Sequence, residues 1–327
     1  MNKKNILITG GAGFIGSNLA LRIQKVFPNS NIVVFDCFRN ENKFSNGNLM
    51  SFGHYDNLID FNGEIICGNL NNIDDLNVLK KYNFDYIFHQ AAISDTRVDN
   101  QEAIIKTNLN SFYFILDLAK KNNAKLIYAS SAATYGNNKS PQRVGFENPN
   151  NAYAFSKFSM DKLALNFLER NSKVDIIGLR YFNVYGKREF YKNSTASTIL
   201  QFALQVLKGN PPRLFEKSNK IFRDFIYIED VIDANILASS SSFSGIYNIG
   251  TGMPRSFQDV ADIILKNLKS DFVCEYIKNP YSSNYQFHTE ADISETKNKL
   301  GFNPKWTLEN GIIDYLPEIR NIHKKHF

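Results

Sequence analysis

Cysteine is scarce: Cys37, Cys67 and Cys274 are three among 327 residues, odd in number, unrelated in spacing and without a C-x-x-C pair. That excludes a disulfide framework and a thiolate zinc site, and it fits thiols kept reduced in a cytosol. Of the five histidines, none has a second His, Cys or carboxylate at ligand spacing of the zincin kind, so no metal is expected. Nowhere do 18 apolar residues run together, which argues against a membrane-spanning helix. Met1 is followed within a few residues by a glycine turn, leaving no room for a signal-peptide apolar region. The expectation is a soluble, cytoplasmic protein with no membrane partner. The sequence also lacks a proline-rich or glycine/serine linker, a low-complexity tract and an internal repeat. A block of one charge is missing too: 38 Lys and Arg face 32 Asp and Glu, interspersed, for a net charge of +6. That balance speaks against nucleic acid and leaves a mild bias towards anionic small molecules. What remains is a chain with 43% hydrophobic residues, long enough for a large nucleotide-binding domain and a smaller one.

The most informative stretch comes first. The apolar run Ile6-Leu7-Ile8 leads into Thr9-Gly10-Gly11-Ala12-Gly13-Phe14-Ile15-Gly16 and then into a helical pattern. Glycines at these spacings permit a tight turn, a close approach to a pyrophosphate and close packing of helix on strand, and the helix N-terminus presents free N–H groups. Asp36 ends the next apolar run about 20 residues on, where a ribose-binding carboxylate belongs. Candidate cofactor contacts are therefore Gly10, Gly11, Gly13, Phe14, Ile15 and Gly16, with Asp36 and Cys37 after the second strand. Arg39 and Lys43 follow closely and offer charge for a 2′-phosphate, so NADP is favoured over NAD.

Strand-like runs at 32–36, 64–68, 86–89, 125–130 and 174–181 alternate with helical patterns at 17–27, 73–82, 103–122 and 152–170, as in right-handed parallel crossovers. The fold class is α/β, a doubly wound and mostly parallel sheet of the Rossmann type. After Tyr181 the alternation loosens, with a helical run at 195–208 and a turn at 209–212. Further strand-like runs at 225–228 and 245–249 read as returns to the sheet. The expected division is a cofactor-binding domain of 1–183 plus about 224–252, and a smaller discontinuous substrate-binding domain of about 184–223 plus 253–327.

Tyr153 and Lys157, four apart at the start of a helix, share a face. A lysine beside a phenol favours the phenolate, which suits removal of a hydroxyl proton as a hydride leaves. With 16 tyrosines, about one such spacing is expected by accident, so the pair gains meaning only from Ser130-Ser131 at the carboxyl end of the fifth strand, where ligands of such sheets bind.

At these residues the chain resembles the extended short-chain dehydrogenase/reductase family, in which a strand-end hydroxyl and Tyr-x-x-x-Lys act beside a nicotinamide. The 4,6-dehydratases of that family carry Asp-Glu after the hydroxyl, whereas Ala132-Ala133 stand here. Other runs are similar to the ADP-L-glycero-D-manno-heptose 6-epimerases: residues 130–136, 180–186, 191–197 and 222–225, and Tyr285-Gln286 ahead of 289–292. The resemblance implies transient oxidation at C6 of a heptose on a nucleotide diphosphate, rotation of the aldehyde, and return of the hydride to its other face. It implies Tyr153 and Lys192 as the two proton-transfer groups, Lys157 as orienting residue and Ser131, rather than Ser130, as the hydroxyl on the reacting oxygen. Lys43 followed by Phe44 matches a phosphate-binding lysine. Gln90, Ala91, Ala92, Asn108 and Val184 match cofactor positions. Asn183, Ser194, Phe215, Glu216, Lys217, Ser218, Arg223 and Tyr285 match substrate positions, and Gln201 stands where the family often has a histidine. The resemblance also implies a homo-oligomer, with a pentamer as one form. Two other readings are a UDP-hexose 4-epimerase or similar nucleotide-sugar enzyme, and a non-catalytic dinucleotide-binding regulator. Lys192 with its neighbours argues against the first, and an intact Tyr153 and Lys157 against the second.

Overall fold

The computed structural model describes residues 3–171, 173–279 and 286–327. The strands in chain order are β1 (Asn5–Thr9), β2 (Asn31–Asp36), β3 (Glu64–Cys67), β4 (Tyr86–His89), β5 (Lys125–Ser131) and β6 (Ile176–Tyr181). Shorter ones follow: β7 (Asn183–Tyr185), β8 (Arg213–Phe215), β9 (Phe222–Arg223), β10 (Phe225–Tyr227), β11 (Gly245–Ile249), β12 (Arg255–Ser256) and β13 (Glu275–Ile277). The α-helices are α1 (Phe14–Val26), α2 (Ile73–Leu79), α3 (Gln101–Ile104), α4 (Ser111–Asn122) and α5 (Ala152–Arg170). After these come α6 (Thr198–Leu207), α7 (Ile228–Ser240), α8 (Phe257–Leu268), α9 (Ser294–Leu300) and α10 (Leu308–His326).

Seven strands form one parallel sheet in the order β11-β6-β5-β4-β1-β2-β3. Its central strands are apolar on both faces because helices cover both, as a parallel sheet requires. Alternate residues feed two cores. Ile6, Ile8, Ile32 and Val34 join a core with α1, α6, α7, α8 and α10, whereas Leu7, Val33 and Phe35 join one with α2, α4 and α5.

Helix ends follow local chemistry. Asn151 caps α5 by accepting from the Ala154 N–H, Ser197 caps α6 through the Leu200 N–H, and Ser256 with Asp259 forms a capping box on α8. Two readings of the sequence need correction. The helical pattern at 103–122 is broken by a π-helical turn, Ile105–Asn110, between α3 and α4. It buries Asn108, whose side chain accepts from the Ile93 N–H and donates to the Ile93 carbonyl and Ser156 Oγ. A widened turn that aims a polar side chain inward is a common use of π geometry. The run at 225–228 does not return to the main sheet: β10 pairs with β7, because β11 takes the place beside β6.

Outside the main sheet, β7/β10, β9/β12 and β8/β13 join stretches distant in sequence. Asp224, between β9 and β10, ties two later segments of the chain to its own. Its buried carboxylate accepts from the Thr251 N–H and hydroxyl and from the N–H groups of Gly252 and Ala291, at 2.7–2.9 Å.

Candidate active site

The glycine turn closes on itself at the carboxyl end of β1. Gly10 has φ +69°, and a Cβ there would stand 2.6 Å from the Ala91 nitrogen, while one on Gly16 would stand 2.1 Å from the Gly10 carbonyl oxygen. Only glycine allows both approaches. α1 starts at Phe14 with Gly13 as its cap, and among the described residues no side chain caps its first N–H groups, which leaves them for an anion. Gly10, Gly13, Phe14, Ile15 and Gly16 wall one side of a cavity of about 600 Å³, with Asp36, Cys37, Gln90, Ala91 and Ala92 continuing the wall. Gly11 lies behind, against the Val34 side chain, and Asn108 supports the wall from below through Ile93. This cradle, whose shape a Cβ would fill, fits a dinucleotide.

The Asp36 carboxylate accepts from the Ala12 N–H at 2.9 Å and the Phe38 N–H at 2.8 Å, tying the turn to the following loop. Burial holds its pKa above the usual carboxylate range despite these two bonds. Arg39 and Lys43 do not reach the main cavity wall. They line a second cavity of about 350 Å³ together with Asn48 and Ser194. The Arg39 guanidinium donates from Nη2 to the Tyr191 carbonyl at 2.6 Å and lies 5.2 Å from that ring's centre.

Ser131, Tyr153 and Lys157 all line the main cavity. Both serines line the cavity, and their partners separate them: Ser130 is buried and donates to Asp161 at 2.9 Å, whereas the half-buried Ser131 hydrogen-bonds Tyr153. Lys157 is 1% exposed and donates from Nζ to the Ala129 carbonyl at 2.7 Å. The expected lowering of the phenol by Lys157 is not what the geometry gives. Burial pushes the Tyr153 pKa up, the bond to Ser131 pulls it back, and Asp161 raises it again. Burial also pulls Lys157 down to about 8, against the attraction of Asp161. Asp161 is the hub behind this wall. It accepts from Tyr128 and Ser130 and pairs with Arg180 at 2.8 Å, and Arg180 also pairs with Glu147 at 2.5 Å.

Lys192 lines the same cavity from another part of the chain, the 3₁₀ turn Phe190–Thr195, with Nζ 5.4 Å from the Phe14 ring centre. Burial lowers its pKa, while Glu189 and Asp95 raise it. Glu189 is fully buried and accepts from the Ser197 N–H and hydroxyl and from the Gly186 N–H.

The candidates for substrate contact are less gathered. Asn183 and Val184 line the main cavity, and Ser194 lines the second one, donating to Asn48. Gln201 donates to the Ala196 carbonyl at 2.7 Å and does not line either cavity. Phe215, Glu216, Lys217 and Ser218 run from β8 into a turn away from both walls, with the Ser218 hydroxyl on Gln258. Arg223 is buried, donating to the Phe222 and Gln286 carbonyls, and Tyr285 lies outside the described residues. The sequence reading passes over Asp95 and Thr198, both in the main cavity wall. The Thr198 hydroxyl is buried there with no hydrogen-bond partner among the described residues. Its signal was the Ser-Thr pair opening an apolar helical run; Asp95 carried none.

Residues 6–250 match the NAD dependent epimerase/dehydratase family. The chain belongs to that family. A Brachyspira hyodysenteriae protein named ADP-L-glycero-D-manno-heptose-6-epimerase is 35% identical over 321 residues, covering 95% of this chain and 96% of that protein. The crystal structure of the Helicobacter pylori ADP-L-glycero-D-manno-heptose-6-epimerase is 47% identical, with TM-score 0.89 over 97% of this chain and 96% of that one. A more distant epimerase of known structure, the UDP-glucose 4-epimerase of Thermotoga maritima with UDP-glucose, is 25% identical with TM-score 0.86, covering 97% and 99%. The heptose-epimerase likeness extends past residue 250, through the part of the chain that the family match leaves out.

Proposed function

We propose that the protein is an ADP-L-glycero-D-manno-heptose 6-epimerase, interconverting the D-glycero and L-glycero forms of the ADP-heptose for lipopolysaccharide core synthesis, with tightly held NADP. The observation that carries the reading is that Tyr153, from α5, and Lys192, from the 190–195 turn, line one cavity beside the glycine cradle. The bound dinucleotide supplies a reversible hydride acceptor at C6. Ser131 hydrogen-bonds the reacting oxygen, and Tyr153 takes or returns its proton. Once the C6 aldehyde has turned about its C5–C6 bond, its oxygen needs a donor on a different side, and the Lys192 ammonium is that donor. Lys157 orients the ribose of the cofactor. Lys43 and Arg39, which line the second cavity, would hold the 2′-phosphate, and Asp36, its two oxygens already engaged by backbone N–H groups, would oppose that phosphate less than a free carboxylate. The enzyme works in the cytoplasm as a homo-oligomer.

The test uses two variants and two readouts. Lys192→Met keeps bound cofactor and loses epimerisation, while a heptose aldehyde analogue that can only disproportionate is still turned over at Tyr153. Tyr153→Phe lowers turnover by ~10² or more, the contribution of a positioned acid or base. NMR of the C6 epimers and of the analogue's products separates the outcomes. Epimerisation at the parent rate by Lys192→Met makes the lysine a bystander and ends the two-base reading.

A further inference from the structure

The turn that carries Lys192 is held from within by three bonds, from the Lys192 N–H to the Glu189 carbonyl, from the Thr195 hydroxyl to the Lys192 carbonyl and from the Ala196 N–H to the Asn193 carbonyl. It is six residues long, and Asn193, directly after the lysine, sits at φ 52° and ψ −125°, a region that a side chain disfavours. Such a turn keeps its shape only when surrounding groups over-determine it. The surrounding groups meet at Tyr191. His54 stacks on its ring with centroids 3.5 Å apart and planes 6° apart, and the Tyr191 hydroxyl bonds Asp56. Arg39 donates to the Tyr191 carbonyl and lies over the same ring. The end of α10 closes the arrangement: Lys325 pairs with Asp56 at 3.1 Å, and Phe190 packs on His326 with ring centroids 4.7 Å apart. Three separated parts of the chain, the loop after β2, the turn and the C-terminal helix, therefore converge on the residue next to Lys192.

We propose that Arg39, His54 and Asp56 are positioning residues that aim Lys192 into the cavity by clasping Tyr191. The inference rests on the proton-transfer role proposed for Lys192. Tyr191 itself does not line either cavity, so it acts through its neighbour. A long flexible ammonium is useful for proton transfer only when its backbone is fixed, since a misplacement of about 1 Å can cut a rate about 10²-fold. The clasp also gives Arg39 a job beyond charge near a 2′-phosphate. Its fork is spent partly on the Tyr191 carbonyl, which joins the loop next to the cofactor to the segment next to the sugar.

The test leaves Arg39 intact, because that residue also walls the second cavity, and replaces Tyr191 and His54. In the holoenzyme, Tyr191→Ala is expected to lower kcat for epimerisation about tenfold or more, with KM within about twofold, bound dinucleotide retained and the Tyr153-driven disproportionation unchanged. Tyr191→Phe keeps the stacked ring but loses the bond to Asp56, and is expected to lower kcat by an amount between the parent and Tyr191→Ala. His54→Ala removes the stacking partner with the turn's own sequence untouched, lowers kcat in the same selective way, and serves if Tyr191→Ala does not fold. The proposal is overturned if both His54→Ala and Tyr191→Ala epimerise within about twofold of the parent, or if disproportionation falls in parallel with epimerisation, which would mark a disturbance of the whole site. Lys192→Met run alongside keeps the two ideas apart. If it is inactive while the Tyr191 and His54 variants are normal, only the clasp fails. If it epimerises normally, the role of Lys192 fails and takes the clasp's purpose with it.

Discussion

Tyr153 and Lys192 face the same cavity from two very different kinds of structure. The tyrosine stands at the second position of a 19-residue helix packed on the central sheet, with Ser131 at the end of the adjoining strand and Asp161, Tyr128 and Arg180 buried behind it. The lysine stands in a short turn with a left-handed residue beside it, steadied by side chains reaching in from loops and from the last helix. One wall is made by regular elements and buried charges, so disturbing it threatens the fold. The other is made by contacts at half-buried side chains, so disturbing it threatens mainly the reaction.

The largest effect should come from the first wall. Arg180→Met leaves Asp161 and Glu147 without their buried partner and is expected to destabilise the protein by about 3–5 kcal/mol in chemical denaturation. A cost under about 1 kcal/mol would place that ion pair with weak surface bridges and erase the contrast.

Next in size is a pH effect on the same wall. Lys157 is held near 8 by burial, below its ordinary 10.5, so between those values the unfolded chain binds the extra proton and the folded state gains stability as pH rises. Below about 8 the penalty is complete. Lys157→Met removes it, so the variant's stability relative to the parent should be best near pH 7. That advantage should shrink towards pH 10, by on the order of 3 kcal/mol in all. A difference in melting behaviour that is flat with pH would mean the lysine is not buried as charged.

In the second cavity, which the Lys192 turn also borders through Asn193 and Ser194, the effects are smaller and fall on ligands. Lys43→Ala is expected to weaken NADP about tenfold or more and NAD hardly at all in calorimetry, the loss of one charge-assisted phosphate contact. Equal weakening of both would remove the 2′-phosphate from the second cavity. Smallest of all, Asn193→Gly relieves the unfavourable φ/ψ and should stabilise the fold by up to about 1 kcal/mol, offset in part by the freedom glycine adds to the unfolded chain. A lower melting temperature would show that the turn carries no strain there.

The same contrast decides what could be read from the sequence. The glycine turn, Asp36, Ser131, Tyr153 and Lys157 sit at strand ends and helix starts, where periodicity and end signals place a residue without knowledge of distant neighbours. That Ser130 spends its hydroxyl on Asp161 was not legible, since adjacent serines differ only in which face of the strand they take. Nor was the π turn that buries Asn108, because the apolar pattern runs through it without interruption. Arg39 looked like a phosphate ligand from its spacing after Asp36. Its bond to Tyr191, 152 residues away, is a tertiary fact that no local pattern carries. The strand at 225–227 has the composition of a sheet strand, and composition cannot tell which sheet. Lys192 itself, in a polar segment, reads as a solvated lysine until its neighbours are matched to the epimerase run.

Asp224 adds a consequence for the order in which the chain is made. Its carboxylate draws donors from Thr251 and Gly252, which follow it closely, and from Ala291, which leaves the ribosome much later. Until that last N–H arrives the buried acid is one donor short, and β9 lacks the backbone bonds that Phe222 makes with Phe287 and Thr289. The stretch around Asp224 is therefore fixed only once the C-terminal segment carrying Phe287, Thr289 and Ala291 has come back to it, the same segment of the chain that supplies α10 to the core on one face of the sheet.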